Sequence, residues 1–174
     1  MSADLNARAA EIRLAVFDVD GVLTDGRLFL DDQGIQTKAF HVRDGLGLKA
    51  LMQHGIEVAI ITARRSGVVQ KRMSELGIKH LRQGEADKER ALLELADRLS
   101  IPTTQVSYMG DDLIDWPAMK HCGLSAAPAD ADAWIRAQVD FVSKAGGGLG
   151  AVRELSELLL EARHSLERWR DSFR

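Results

Sequence analysis

The chain has 174 residues, of which 45% are hydrophobic and 28% are charged, with a formal net charge of -3. This length and composition predict one domain over residues 1–174 with a single sizeable core, and the near balance of charge argues against a nucleic-acid-binding protein. The single cysteine, Cys122, excludes an intramolecular disulfide. Together with a polar N-terminal segment and the lack of any apolar run of about 20 residues, it predicts a cytoplasmic protein that does not bind membranes.

Short apolar segments alternate with amphipathic ones along the chain. Continuous, β-branched apolar runs predict buried strands, and apolar residues that recur every three to four positions predict helices. In chain order the prediction is a strand at 13–20, a helix at 44–54, a strand at 57–62, a helix at 66–77, a strand near 79–84, a helix at 87–100, a strand at 106–111, a short helix at 113–122, a strand at 123–128, a helix at 130–139, a strand at 140–144 and a last helix from about Ala151. This alternation predicts an α/β fold, a Rossmann-like parallel sheet with helices on both faces.

One segment, residues 26–45, interrupts the alternation. The strand-like stretches 27–30 and 35–42 flank "DDQG", which has the composition of a turn. This pattern predicts a β-hairpin inserted over about 27–43, before the second strand of the sheet.

Residues suited to phosphoryl transfer stand at the ends of three predicted strands and at the start of one helix. They are Asp18, Asp20, Thr62, Lys88 and Asp111. Taken singly, each has an ordinary structural explanation as a cap, a turn residue, a β-branched strand residue or a solvated helix charge. The carboxyl ends of parallel strands meet at one edge of a sheet, where ligands bind. The joint occurrence of these five residues at that edge therefore favours a functional site.

The two aspartates of the first strand suit a covalent mechanism. Asp18 could attack phosphorus and form an aspartyl-phosphate, while Asp20 could protonate the leaving oxygen and later activate water. Carboxylates this close repel each other unless a cation such as Mg²⁺ lies between them. Asp111 would complete that metal site, and Asp112 would orient its ligands.

The phosphoryl group itself would be held by two further residues. Thr62 offers a hydroxyl and a backbone amide, and Lys88 offers a cation for the charge on the equatorial oxygens.

These residues lie in motifs that resemble those of the haloacid dehalogenase-like phosphatases. The motifs are "DVDGVLTDG" at 18–26, "IITAR" at 60–64, Lys88 and "GDDLID" at 110–115. Two further motifs are "FHVRDGLGLK" at 40–49 and "GGGLGAVREL" at 146–155. With them, the chain resembles the branch of this family that hydrolyses 3-deoxy-D-manno-octulosonate 8-phosphate in lipopolysaccharide precursor biosynthesis. The resemblance covers about 14–160 and implies a capless fold with an inserted hairpin.

The resemblance also implies a role for each matched residue. Asp18 would be the nucleophile and a Mg²⁺ ligand, Asp20 the acid/base and a ligand through its backbone carbonyl, and Asp111 the third ligand. Thr62 and Lys88 would hold the phosphoryl group. The substrate contacts implied are Asp20, His41, Val42, Arg43, Asp44, Gly45, Lys49, Arg64, Arg72 and Lys88.

The family resemblance further implies a homotetramer that assembles through the hairpin, with neighbouring subunits completing each other's sites. A hairpin folded over its own core is the alternative on the sequence pattern alone. The tail at about 161–174 has no match; Arg168, Trp169 and Arg170 could cover a substrate, or form a solvated helix or a frayed end. Ala63 stands where many relatives have glycine.

Three alternatives to this phosphatase remain open. A nine-carbon, sialic-type sugar acid phosphate could be the substrate, since the two groups share most motifs. A phospho-receiver domain uses similar residue types but would have an adjacent acidic pair, whereas Asp18 and Asp20 are spaced by one residue. An inactive relative that serves as an oligomeric scaffold is the third.

Overall fold

The structure is a computed structural model that describes residues 3–174, so Met1 and Ser2 of the predicted domain lie outside the described residues. The strands are β1 Leu14–Phe17, β2 Phe29–Leu30, β3 Gln36–Thr37, β4 Glu57–Thr62, β5 His80–Gln83, β6 Val106–Met109, β7 Leu124–Ala127 and β8 Phe141–Val142. The helices are α1 Ala3–Ala10, α2 Val42–Gln53, α3 Gly67–Leu76, α4 Lys88–Leu99, α5 Trp116–Met119, α6 Ala133–Gln138, α7 Ala151–Ala162 and α8 Leu166–Asp171. Between residues 3 and 174, no helix has the length and apolar character that a membrane span needs.

Six strands form one parallel sheet in the order β5-β4-β1-β6-β7-β8. The chain leaves β1 toward β4 and β5 and later returns on the other side through β6, β7 and β8. The direction of winding therefore changes between β1 and β6, and a crevice opens at this point at the carboxyl edge of the sheet. This topology confirms the predicted α/β sheet.

Strand β1 is buried on both faces, as its continuous apolar run predicts. Ala15 and Phe17 face the core formed with α1, α2, α3, α7 and α8. Leu14 and Val16 face the core formed with α4, α5 and α6. The helices therefore cover both faces of the sheet, and the end of β1 is fixed from both sides.

The predicted hairpin is present as a separate two-stranded antiparallel sheet. Phe29 pairs with Thr37 and Leu30 with Gln36, so each strand is only two residues long. Phe29, Leu30 and Ile35 are 51%, 63% and 60% exposed. The alternative of a hairpin folded over its own core is therefore wrong for these three side chains.

Both ends of the chain are more ordered than the sequence pattern indicates. The polar N-terminal segment forms α1, which buries Leu5 and Ala9. The tail forms α8, and Trp169 is 3% exposed beneath the guanidinium of Arg153, 4.4 Å from its ring centroid. Trp169 therefore packs in its own core and is not available to cover a substrate, whereas Arg168 and Arg170 lie on the exposed face of α8, as expected for a solvated terminal helix.

Candidate active site

A cavity of about 230 Å³ opens at the carboxyl edge of the sheet, where β1, β4 and β6 end. It is lined by Asp18, Asp20, Gly26, Thr62, Ala63, Arg64, Lys88, Asp111, Asp112 and Ile114. All residues predicted for catalysis and metal binding are in this set. A larger depression of about 900 Å³ between α7 and α8 contains none of them, so chemistry rather than size identifies the candidate site.

Asp18 directly follows β1, and its backbone amide donates to Met109 O over 3.1 Å, which continues the pairing with β6. Its side chain is buried, with Oδ2 3.0 Å from Lys88 Nζ. Its Oδ1 has no hydrogen-bond partner among the described residues. Burial and the nearby Asp115 raise the pKa of Asp18 to about 7, against the opposing effect of Lys88. The unpartnered oxygen leaves this carboxylate available for a ligand in the pocket.

Lys88 is the first residue of α4, and its side chain contacts two carboxylates at the pocket. Its Nζ lies 2.6 Å from Asp115 Oδ1 and 3.0 Å from Asp18 Oδ2. Burial lowers the pKa of Lys88, but Asp115 and Asp18 raise it by more, so the net shift is upward. Lys88 is therefore a fixed cation beside Asp18, at the position where the charge of a phosphoryl group would need one.

Asp115 orients the groups of this site. Asp115 is fully buried, accepts from Tyr108 Oη over 3.0 Å and from the backbone amide of Asp111 over 3.3 Å, and binds Lys88. Asp112 is exposed, and its Oδ1 accepts from its neighbour Leu113 N. Among the described residues the Asp112 side chain makes no hydrogen bond to Asp18 or Asp111, and the role expected of it in orienting the metal ligands stays a prediction.

Asp115 stands at the N-cap position of α5 without capping it by its side chain. From the sequence it looks like an ordinary cap before a proline at a helix start, so the sequence gives no signal for its buried contacts with Lys88 and Tyr108.

Asp111 is brought to the pocket by a close backbone approach at Gly21. A Cβ at position 21 would lie 2.0 Å from Asp111 Oδ2, and Gly21 has a φ of +87°, a conformation that favours glycine. Burial, then Asp115 and Asp18, raise the pKa of Asp111 to about 8. Gly21 is therefore a further residue of the site. In the sequence, its only signal is that it is the glycine of the "DVDG" motif.

The carboxylates at this edge fit a hard divalent cation. Oxygens of Asp18, Asp111 and Asp115 all lie within 4.8 Å of one another. Burial first, and then the neighbouring carboxylates, raise the pKa of Asp18 and Asp111, and a bound cation would oppose both effects by favouring the ionised form. Asp115 already binds Lys88 and Tyr108. The unpartnered Oδ1 of Asp18 and the carboxylate of Asp111 are therefore the side-chain oxygens that suit Mg²⁺.

Asp20 lies at the mouth of the pocket between two cations. Its Oδ1 accepts a short hydrogen bond from Lys38 Nζ, and its Oδ2 is 4.0 Å from Arg64 Nε. The Lys38 side chain is only 1% exposed. The sequence gives no signal for the role of Lys38, because a lysine in a predicted hairpin strand is usually a solvated charge.

Thr62 and Ala63 form the phosphate-facing turn after β4. Thr62 is buried, and its carbonyl accepts from Glu85 N over 3.1 Å, which ties the turn to the end of β5. Ala63 does not have a positive φ. Alanine in place of glycine therefore introduces no backbone strain at this position.

Several residues predicted to contact substrate do not line the pocket of their own chain. They are His41, Val42, Arg43, Asp44, Gly45, Lys49 and Arg72. Val42 and Lys49 are exposed, while the guanidinium of Arg72 lies against Gly45 and 3.5 Å from Glu75. Any contact of these residues with a substrate stays a prediction.

The side chain of Asp44 contacts another element of the fold instead of lining the pocket. It is 1% exposed, and its Oδ1 accepts from Arg153 N over 2.9 Å at the start of α7. Burial raises its pKa, against the hydrogen bond from Arg153. The carboxylate of Asp44 therefore fixes α2 to α7 and does not point into the pocket.

The glycine-rich turn at 146–150 packs beside the site without lining it. Gly148 N donates to Val22 O over 2.9 Å, and a Cβ at Gly147 would lie 1.8 Å from Gly21 O. The turn therefore supports the loop that carries Asp20 and Gly21.

Comparisons with known proteins agree with this geometry. The haloacid dehalogenase-like hydrolase model matches residues 80–147. The chain is 47% identical over 167 residues to the 3-deoxy-D-manno-octulosonate 8-phosphate phosphatase KdsC of Escherichia coli K12, covering 96% of this chain and 89% of that protein.

Solved structures show the same similarity. The phosphatase of that name from Yersinia pestis has a TM-score of 0.94 at 47% identity, over 96% of this chain and 90% of that one. The one from Moraxella catarrhalis, in complex with magnesium, phosphate and KDO, has a TM-score of 0.97 at 41% identity over the whole of both chains. This chain therefore belongs to the haloacid dehalogenase-like hydrolase family.

Proposed function

We propose that this chain is a magnesium-dependent phosphatase that hydrolyses 3-deoxy-D-manno-octulosonate 8-phosphate to the free sugar acid and phosphate, in lipopolysaccharide precursor biosynthesis. The names of its relatives and the KDO-bound structure from Moraxella catarrhalis support the substrate. The observation that carries the chemistry is the buried carboxylate of Asp18, which has one oxygen on Lys88 and the other without a partner. This arrangement suits a nucleophile facing a phosphoryl group.

In the first step, a carboxylate oxygen of Asp18 bonds to phosphorus as the bond from phosphorus to the sugar oxygen breaks. Lys88 and Thr62 hold the phosphoryl oxygens, and Lys88 offsets the charge that builds on them. Asp20 gives its proton to the departing sugar oxygen, so that the sugar leaves as an alcohol. The product on the protein is an aspartyl-phosphate at Asp18.

In the second step, Asp20 takes a proton from water, and the resulting nucleophile attacks the phosphorus of the aspartyl-phosphate. The bond between Asp18 and phosphorus breaks, which releases inorganic phosphate and restores both carboxyl groups to their starting states. Asp20 can serve in both steps because the proton that it gives to the sugar in the first is replaced by the proton that it takes from water in the second.

Asp18, Asp111 and the backbone carbonyl of Asp20 would hold Mg²⁺, which would supply positive charge to offset the carboxylates and the phosphoryl oxygens of the substrate.

We further propose that the chain is one domain over 1–174, with the hairpin as an insert at about 27–43 and the tail at about 161–174, and that it assembles as a homotetramer through the hairpin. The exposed apolar residues of the hairpin support this assembly. In such an assembly, Arg43, Lys49 and Arg72 would act on substrate bound to a neighbouring copy. The cytoplasmic location stays a prediction from the sequence.

The test is phosphate release with and without Mg²⁺ across a panel of eight-carbon and nine-carbon sugar acid phosphates and ordinary hexose phosphates. We expect a Mg²⁺-dependent preference for 3-deoxy-D-manno-octulosonate 8-phosphate. A preference for the nine-carbon acid would replace the substrate but keep the mechanism. No release from any compound would contradict the proposal and reopen the receiver and scaffold alternatives.

A further inference from the structure

A second buried lysine, Lys38, stands behind the candidate acid/base. It comes directly after β3 on the returning strand of the hairpin, 18 residues from Asp20 in the chain, and its Nζ donates to Asp20 Oδ1. Its side chain is 1% exposed. Lysine is almost never fully buried unless it is paired, because the ammonium loses its hydration. The contact with Asp20 is therefore the feature that accounts for the burial of Lys38.

The two buried lysines differ in what they can reach. Lys88 contacts Asp18 and lines the pocket, so it is placed to touch a phosphoryl group. Lys38 contacts Asp20 but is not among the residues that line the pocket. Each of the two candidate catalytic aspartates thus contacts its own lysine, but of the two lysines only Lys88 lines the pocket.

Asp20 needs such a support more than Asp18 does. The Asp20 side chain is 22% exposed, and the other cation near it, Arg64, is 4.0 Å away on a side chain that is 54% exposed. An exposed ion pair at that distance holds a side chain only weakly. General acid catalysis, in contrast, requires the proton to be within hydrogen-bond distance of the leaving oxygen.

We propose that Lys38 is a positioning residue, which fixes the side chain of Asp20 in the orientation from which it transfers protons to the leaving group and from water. This inference rests on the function proposed above. Because Lys38 belongs to the hairpin, the orientation of Asp20 depends on an element whose outer face is exposed and apolar. The hairpin is then part of the catalytic apparatus as well as a surface for assembly.

The test compares two leaving groups. An aryl phosphate such as p-nitrophenyl phosphate releases an anion that is stable without a proton. The sugar oxygen of a sugar acid phosphate, in contrast, must receive a proton as it leaves. We compare kcat/KM of wild type, Lys38→Met and Lys38→Arg on both. Methionine keeps an unbranched chain of similar length without the charge. The control is Lys79→Met, at an exposed position directly before β5 and therefore away from the carboxyl edge of the sheet.

For Lys38→Met we expect kcat/KM on the sugar acid phosphate to fall by about 100-fold or more, within the range of general acid catalysis. On the aryl phosphate, kcat/KM should change less than about threefold, because it reports only the steps up to formation of the aspartyl-phosphate. On the aryl phosphate, kcat and KM of Lys38→Met should fall together. The reason is that hydrolysis of the aspartyl-phosphate, which also needs Asp20, becomes the slower step. Lys38→Arg should recover part of the loss, and Lys79→Met should match wild type.

An equal fall of kcat/KM on both substrates would overturn the proposal, since it would mean that Lys38 binds the phosphoryl group or only supports the fold. No fall on either substrate would overturn it as well. Retained kcat/KM on the aryl phosphate also shows that the variant is folded. Failure of the proposed function is a separate result, because wild type itself would then not hydrolyse the sugar acid phosphate.

Discussion

The pocket and the hairpin are built in opposite ways. In the pocket, Asp18, Lys88 and Asp115 are 4%, 2% and 0% exposed, and each charge contacts an opposite one on the same chain. In the hairpin, Leu30 and Ile35 are 63% and 60% exposed. The difference shows that the buried ion pairs of the pocket form within one chain, whereas the hairpin leaves apolar surface for a further contact.

Physical chemistry explains why the two regions differ. Buried charges are tolerated only when their partners are fixed with good geometry, and here the partners come from β1, α4 and the loop after β6. An isolated two-stranded hairpin is marginal in water. Five changes, taken in order of falling expected effect, test how the buried charges of the pocket support the chemistry and how the exposed face of the hairpin supports assembly.

The largest effect is expected for Asp18→Asn. Removing the nucleophile should lower kcat by about 10³-fold or more, while the side-chain volume and the assembly stay the same. Phosphate release, circular dichroism and sedimentation of the variant check this. Near-native hydrolysis by a folded variant would contradict the covalent mechanism.

The next effect is expected for Asp115→Asn, which removes the carboxylate between Lys88 and Tyr108. Breaking a buried ion pair leaves an uncompensated charge and typically costs about 3 kcal/mol. Lys88 keeps one partner, Asp18, so activity should fall but remain measurable. Urea unfolding gives the free energy of unfolding.

Asp112→Asn is the matched control, because Asp112 is exposed three residues earlier. Its free energy of unfolding should change by less than about 0.5 kcal/mol. If the two variants were equally stable, the buried pair would not be the centre of this network.

The third prediction is a pH dependence of stability in the absence of Mg²⁺. Burial raises the pKa of Asp18 to about 7 and of Asp111 to about 8, above the usual value of 3.8 for an aspartate. Both groups are therefore most stabilising when protonated, below about pH 4, and their contribution is lost as the pH rises through 7 and 8. With EDTA, the protein should lose on the order of 2 kcal/mol between pH 5 and pH 8, less than the sum of the separate shifts because the groups are coupled.

Thermal unfolding at several pH values measures this loss. Added Mg²⁺ should raise the melting temperature more at pH 8 than at pH 5, because the carboxylates it would bind are then ionised. The Asp111→Asn variant, which lacks one of the two groups, should show a smaller dependence in EDTA. A stability in EDTA that rises from pH 5 to pH 8 would contradict the assignment.

The sequence predicts the fold well where the evidence is local. The strand at 57–62 and the helix that ends at Gly77 are found as predicted, because continuous apolar runs and a left-handed glycine stop are visible in a short window. The sheet edge then brings Asp18, Thr62 and Asp111 together by topology. Their juxtaposition follows from parallel strands alone.

What the sequence does not predict are buried charges whose partners are distant in the chain. Lys38 pairs with a residue 18 positions away, and Asp115 with one 27 positions away. In a short window each looks like a solvated strand charge or a helix cap. Only the packing of other elements around them turns these ordinary positions into buried ones.

The fourth prediction addresses the hairpin. Leu30→Asp places a charge on its exposed apolar face, so it should dissociate the proposed tetramer without unfolding the chain. If neighbouring copies complete the site, kcat/KM on the sugar acid phosphate should fall about tenfold, or ~1.4 kcal/mol. Analytical ultracentrifugation measures the assembly.

Leu93→Asp, on an α4 leucine that is 41% exposed, is the matched control. It should leave the assembly unchanged. An assembly that resists Leu30→Asp would show that the hairpin is not its interface.

The smallest effect is expected for Arg72→Gln. The guanidinium lies against Gly45, at the start of α2, and does not line the pocket of its own chain. If it meets the carboxylate of a substrate held by a neighbouring copy, it contributes an ion pair at a partly exposed position, and KM should rise about fivefold, or ~1 kcal/mol, with kcat unchanged.

Lys71→Gln is the control, since it removes a charge from the adjacent exposed position on α3. It should leave both constants near wild type. A KM effect of Arg72→Gln that disappears in the Leu30→Asp background would tie substrate recognition to assembly. An effect of the same size in both backgrounds would place Arg72 in the site of its own chain, and the division between a self-contained pocket and a shared surface would then be wrong at this residue.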